Sequence, residues 1–210
     1  MAATWEQLPD GLSILMPVYN EIERIERALD ATLAILRRRR WSGNDVAAVE
    51  VGVARALVDQ QFEDYEPHNL VDAQFSTPYA VALVLHGETA GPHWYQPALF
   101  DSPAIRATMR KVTLRLDAEM EHLFVEKRMA SAIVKVTGRD GSVETERVDH
   151  AHGDMENPLT DAELDDKFRA LATVALQGNA PARLLAAIRG LERLPDLNEL
   201  GVLAAGAARA

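Results

Sequence analysis

The chain has 210 residues, 48% of them hydrophobic and 6% aromatic, which suits one sizeable globular domain with an aliphatic core. A formal net charge of −10 excludes a general nucleic-acid or anionic-membrane binder, and leaves room only for a local basic pocket. The absence of cysteine excludes a disulfide framework, a thiolate nucleophile and a cysteine-ligated zinc or iron–sulfur site.

Residues 1–6 carry no basic start or apolar core of a leader, and no apolar run approaches the ~20 residues of a membrane span. A soluble, cytoplasmic protein is expected, with neither nucleic acid nor membrane as a partner. Residues 1–11 read as a lead-in ending in the Pro9-Asp10-Gly11 turn, and residues 12–18 as a short strand-like run. Asn20, with Glu23 at capping-box spacing, starts a helix in which Ile22, Ile25, Leu29, Leu33 and Leu36 recur at helical period. Glu21, Glu23 and Glu26 near its start and Arg37, Arg38, Arg39 and Arg40 at its end follow the helix dipole. Four consecutive arginines on a helix diverge in direction, so they read as a solvated end and not a polyanion pocket. Residues 42–45 form a loop, and 46–53 a strand with Val49, Val51 and Val53 on one face. Residues 54–61 fit a helix without demanding one, and residues 63–67 read as an acidic loop.

The chain is organised around Asp72-Ala73-Gln74-Phe75-Ser76-Thr77-Pro78-Tyr79-Ala80-Val81-Ala82-Leu83-Val84-Leu85-His86-Gly87. Polar residues lead into a helix with Pro78 in its first turn, and Gly87 stops it. The run is apolar on every side, so it is expected to be buried all round. After a break at Gly91-Pro92, a short helical piece covers 95–99, and Ser102 with Pro103 caps a helix to about Met109. Three strands follow, over 111–116, 130–137 and 142–149, the last two joined by a hairpin at Arg139-Asp140-Gly141, with charged residues 119–127 linking the first to the second. The tail is helical: Thr160 and Glu163 make a capping box, Leu164, Phe168, Leu171 and Ala175 share a face, and Pro181 opens a second helix.

Tyr79 is the leading candidate for chemistry. Its phenol can act as a general acid or hold a carboxylate if a cation adjusts its pKa; it equally suits a core tyrosine bonded to backbone. Gln74, Ser76 and His86 are the candidate substrate contacts, although helix capping explains Ser76 and His86 just as well. His150-x-His152-x-Asp154 has a zinc-like spacing, but Met155 and Glu156 follow where a further histidine is usual, so no metal is assigned. No Gly-x-Ser-x-Gly elbow, dinucleotide fingerprint or phosphate loop is present.

The Asp72–Ala82 stretch resembles the central signature of the MmgE/PrpD family, which includes 2-methylcitrate dehydratase and cis-aconitate decarboxylase. The likeness continues through Asp101-Ser102-Pro103-Ala104-Ile105-Arg106, Gly138-Arg139-Asp140-Gly141 and Glu156-Asn157-Pro158-Leu159-Thr160-Asp161-Ala162-Glu163-Leu164 with Lys167-Phe168, over roughly residues 28 to 195. It covers only what would be the C-terminal part of a full-length member. It implies elimination, decarboxylation or isomerisation of a small polycarboxylate without a metal or organic cofactor, with Tyr79 at the active site. The family's catalytic lysine falls where this chain has Met16, and its nearby histidine near Glu26 or Arg27. A homo-oligomer or a partner chain is therefore expected, to complete the site. Residues 13–21, Ser-Ile-Leu-Met-Pro-Val-Tyr-Asn-Glu, also resemble the opening strand of family-two glycosyltransferases, but the required Asp-x-Asp is absent.

The expected fold is α+β: a small, antiparallel-dominated sheet packed by helices, with helical segments at both ends. The expected division is a lead-in and amphipathic helix (1–44), the α+β domain (45–160), C-terminal helices (161–198) and a frayed tail (199–210). Three functional readings stand: a lyase on a small polycarboxylate, a non-catalytic remnant or partner subunit of such an enzyme, and a nucleotide-sugar binder.

Overall fold

A computed structural model describes residues 23–58 and 60–205. The strand-like run 12–18, the Asn20 cap, Met16 and the glycosyltransferase-like stretch 13–21 lie outside the described residues. The chain divides into two compact units, one spanning Val18–Pro158 and one containing Leu159–Ala210.

In the first unit, α1 (Glu23–Arg39) is followed by β1 (Val46–Val53) and two 3₁₀ turns, Arg55–Leu57 and Gln60–Glu63. Then come α2 (Leu70–Phe75), α3 (Thr77–Leu85), a 3₁₀ turn Pro92–Tyr95, α4 (Pro97–Phe100) and α5 (Pro103–Met109). β2 (Val112–Leu116), α6 (Ala118–Lys127), β3 (Ala132–Gly138) and β4 (Val143–Val148) complete it. The strands form one sheet in the order β2-β1-β3-β4. β1 and β2 are parallel, with Val49 opposite Val112 and Val53 opposite Leu116; the β1–β3 and β3–β4 pairs are antiparallel. This is the expected α+β architecture with an antiparallel-dominated sheet.

The sheet departs from the expected three-strand set in two ways. β1 is an inner strand, between β2 and β3. The charged link 119–127 is largely helix α6, capped by the Asp117 carboxylate. Parallel strands cannot be joined by a tight turn, so residues 54–111 must cross over, and their helices pack on the sheet as they do so. A register shift between Val46 and Ala48 lets Val46 join Val49, Val51 and Val53 in the core despite its opposite parity. On the other face, Glu50 pairs with Arg115 at 3.0 Å and Lys135 at 3.1 Å, a charged ladder across three strands.

α1 buries Ile25, Ala28, Ala31, Thr32 and Ile35, while Leu33 is exposed. Of the expected stripe, Ile25, Leu29 and Leu36 do pack on the core and Leu33 does not; small alanines beside them face the sheet and let the helix lie close to it. The arginine end is not merely solvated, because Arg38 bonds Glu146 at 2.6 Å and Arg39 bonds Glu144 at 2.6 Å on β4.

α3 is buried along its full length, as expected. On one side Val81 and Leu85 join α1 and the sheet; on the other Tyr79, Leu83 and Val84 pack with Trp94, Ile105 and Met109. The polar approach to α3 is itself helical, as α2. In the second unit α7 (Asp161–Ala175), α8 (Ala180–Arg189) and α9 (Asn198–Ala204) surround Ala172, Leu176, Leu184, Ala187 and Leu203. The inward line of α7 is Phe168, Ala172 and Leu176, so Leu164 and Ala175 are exposed, offset from the stripe read in the sequence. Thr160 and Glu163 form the expected capping box.

Candidate functional site

Ser76 ends α2 and begins α3. Its hydroxyl accepts the Tyr79 N–H at 3.1 Å and donates to the Asp64 carbonyl at 2.5 Å. With both roles filled and the residue wholly buried, Ser76 positions Tyr79 in this state and presents no free group to a ligand. Gln74, one residue before the α2 end, is half-buried.

Tyr79 is 1% exposed. Its hydroxyl donates to the Trp94 carbonyl, and its ring stacks on Phe100 with centroids 5.4 Å apart and planes 12° apart. Burial first, then the charges of Tyr95 and Glu88, push the phenol pKa well above its usual value, so it stays protonated at neutral pH. Phe100 has a second attachment: its carbonyl accepts from Arg106 Nε at 2.9 Å. The Arg106 guanidinium also lies 3.4 Å from the exposed Asp101 carboxylate. Trp94 is buried and its indole N–H has no acceptor among the described residues.

His86 caps the far end of α3, seven residues or about 10 Å along the axis from Tyr79. The two do not share one pocket. His86 Nε2 lies 2.9 Å from Thr108 Oγ1, beneath Gly43, where a Cβ would come within 2.5 Å of the ring. Lys111 closes this corner, donating to the Gly43 carbonyl at 2.7 Å and the Val46 carbonyl at 2.9 Å. Burial, then the Lys111 charge, lower the His86 pKa below 6.5, against opposing contributions from Glu88 and the Ala104 backbone. The unfolded chain therefore binds this proton where the folded chain does not. Stability from His86 is complete above about pH 6.5 and is lost as pH falls below it. A shallower acid-side slope of unfolding free energy is expected for His86→Gln, read from urea titrations between pH 8 and pH 5. An unchanged slope would remove this role for His86.

An open cavity of about 600 Å³ is lined by Glu63, Asp64, Tyr65, Glu66, Val71, Asp72 and Phe75. Four carboxylates around it repel an anionic substrate. They also serve the local backbone: Glu63 accepts from Leu114 N–H, Asp64 from Glu66 N–H and Asp72 from His68 N–H.

The His150-x-His152-x-Asp154 segment is an anchored loop. Asp154 Oδ2 accepts from Arg27 at 2.7 Å and from Ala151 N–H at 2.7 Å, while Arg27 Nε donates to the Asp149 carbonyl at 3.0 Å. His150 faces Glu156 at 3.6 Å, and His152 N–H bonds Asp30. Among the described residues no three histidine or carboxylate groups are placed to share a metal ion. No helix there is long and apolar enough to cross a membrane.

The structure thus joins Ser76 to Tyr79 and leaves His86 elsewhere. Phe100 and Trp94 were missed as neighbours of Tyr79, and Arg106 as the partner of the Phe100 carbonyl. Only Arg106 had a local signal, its place at the end of the Asp101–Arg106 motif.

Residues 24–193 match the MmgE/PrpD C-terminal domain. The chain is similar to cis-aconitate decarboxylase of Homo sapiens, 29% identical over 136 residues, which is 64% of this chain and 27% of that protein. It is likewise 29% identical over 154 residues to cis-aconitate decarboxylase of Mus musculus, covering 71% of this chain and 29% of that protein. The match spans less than a third of the length of these curated relatives.

Proposed function

The chain belongs to the MmgE/PrpD family through its C-terminal domain, and from that premise we propose that it carries part of a lyase-type site for a small polycarboxylate. The observation that carries this reading is Tyr79, seated by Ser76 at the entry of α3 within an intact family signature. The Tyr79 phenol carries its proton at neutral pH, but burial and the neighbouring Tyr95 and Glu88 raise its pKa, so acting as a proton donor requires a cation beside it in the assembled site. In a decarboxylation, the electron pair left on carbon as carbon dioxide departs would take the Tyr79 proton. A partner chain or second copy would supply the cation that Met16 does not, and no metal or organic cofactor is invoked.

The test is ultraviolet absorbance of the intact chain with cis-aconitate and with 2-methylcitrate, since these reactions create or remove a conjugated double bond. Tyr79→Phe is expected to fold, to lose about 1 kcal/mol of stability with its hydrogen bond, and to lose turnover at least ~100-fold. Unchanged turnover in this variant would end the role of Tyr79.

A second reading, a non-catalytic remnant or partner subunit, is favoured by the closure of Tyr79 and by the acidic lining of the open cavity. A folded chain without turnover in either assay would support it, and turnover by the isolated chain would remove it. The nucleotide-sugar reading rests on residues 13–21, ahead of the matched span; no such binding in calorimetry would remove it.

A further inference from the structure

We infer that Phe100 is a latch, whose ring covers the Tyr79 phenol and whose carbonyl holds the Arg106 guanidinium, so that lifting residues 88–101 bares a proton donor and a cation together for a small carboxylate. The inference rests on the reading of Tyr79 as a functional group and adds Arg106 as the cation that recognises substrate.

Three observations carry it. First, one residue makes both contacts: the Phe100 ring is 5.4 Å from the Tyr79 ring, and its carbonyl is 2.9 Å from Arg106 Nε. The same movement therefore uncovers Tyr79, 1% exposed, and frees the Nε–H of Arg106, whose side chain is already 30% exposed. Second, the acceptors that hold Tyr79 and Arg106 here are the neutral carbonyls of Trp94 and Phe100. A carboxylate oxygen is a stronger acceptor for both donors, so an anionic ligand favours the exchange. Among the described residues, the carboxylate paired with Arg106 is that of Asp101, 79% exposed and 3.4 Å away.

Third, the cover is locally organised and imperfectly satisfied. Trp94 N–H bonds Gly91, Gln96 N–H bonds His93, Leu99 N–H bonds Gln96 and Asp101 N–H bonds Pro97, all within the segment. His93 faces Glu88 at 3.3 Å, also within it. The Trp94 indole N–H is buried without an acceptor among the described residues, a penalty that opening relieves. Gly87, at φ 80° and with no neighbour crowding its Cβ position, lies just ahead of the segment, and Gly91 lies within it. The backbone bonds that leave the segment, Glu88 N–H to the Leu83 carbonyl and Ser102 N–H to the Leu99 carbonyl, lie near its two ends, so it can move as a piece without unpairing the sheet.

The test is calorimetric binding of tricarballylate, a saturated tricarboxylate, to the intact chain. Phe100→Ala is expected to bind about tenfold more tightly than the parent, because the closed state no longer competes. In that background Arg106→Gln should abolish the gain and Arg106→Lys should retain part of it. Phe100→Leu keeps apolar volume without the ring stack, and should give a smaller gain in the same direction. Hydrogen exchange of the parent adds a reading independent of variants: the Trp94, Leu99 and Asp101 amides should exchange at least ~100-fold faster than the Val49 amide of the sheet.

Equal affinity in parent, Phe100→Ala and Phe100→Leu, a gain that survives Arg106→Gln, no binding by any variant, or exchange as slow as the sheet would each overturn the latch. If Phe100→Ala does not fold, Phe100→Leu and the exchange rates decide. A gain in tricarballylate affinity without turnover of cis-aconitate keeps the latch and removes the lyase reading. Turnover lost in Tyr79→Phe, with no gain from opening, does the reverse.

Discussion

Replacing Arg27 with alanine is expected to destabilise the sheet-bearing unit by about 3 kcal/mol. The Arg27 and Asp154 side chains are only 10% and 15% exposed and lie 2.7 Å apart. Truncation strands the Asp154 carboxylate away from most of the water that could solvate it. It also removes the Nε–H bond to the Asp149 carbonyl, one of the ties between α1 and the loop after β4. The measurement is urea unfolding followed by near-ultraviolet circular dichroism. A lower midpoint with an unchanged slope identifies lost stability. Asp154→Asn keeps a hydrogen-bond acceptor and should lose less. The double variant Arg27→Met/Asp154→Asn should recover much of the loss, since a buried pair removed together leaves no unpaired charge. A loss below about 0.5 kcal/mol for Arg27→Ala, the usual range of a surface substitution, would mean that the pair is solvated and the loop held otherwise.

Leu83→Ala is expected to lose a similar amount, about 3 kcal/mol, from the transfer of a buried side chain plus the cavity left behind. Leu83 is 0% exposed, on the side of α3 that faces Trp94, Ile105 and Met109. Packing on both sides of the helix restricts collapse into the gap. Leu33→Ala is the internal control: that side chain is 38% exposed on α1 and should lose less than about 1 kcal/mol. Equal losses at the two positions would show that α3 is not enclosed by two layers. Because α3 carries Tyr79 at its first turn, Leu83→Ala should also lower turnover in any assay where Tyr79 acts, without changing the identity of the acid.

The elements legible in the sequence were those written in a few adjacent residues. Ser76 and Pro78 opening α3, Ser102 and Pro103 opening α5, Asp140 and Gly141 turning β3 into β4, and Thr160 with Glu163 capping α7 all appear as read. The 46–53 strand and the all-round burial of α3 were legible from pattern. At the candidate site, the signature pointed to Tyr79 and Ser76. It did not reveal that Ser76 has both hydrogen-bond roles filled or that the Tyr79 hydroxyl is shut against Trp94.

Each of these local codes is complete within about four residues, because the backbone groups they satisfy lie within one turn, so the amino-acid sequence by itself determined them. Tertiary structure alone decided that β1 lies inside the sheet beside a parallel β2, that α1 turns its alanines and not Leu33 inward, and that Arg27 meets Asp154 127 residues away. It likewise decided that Phe100 binds Tyr79 and Arg106 at once. Those outcomes depend on which surfaces bury one another when the whole chain packs. An apolar stripe tells only that a face is buried, and the choice of partner belongs to the assembled core.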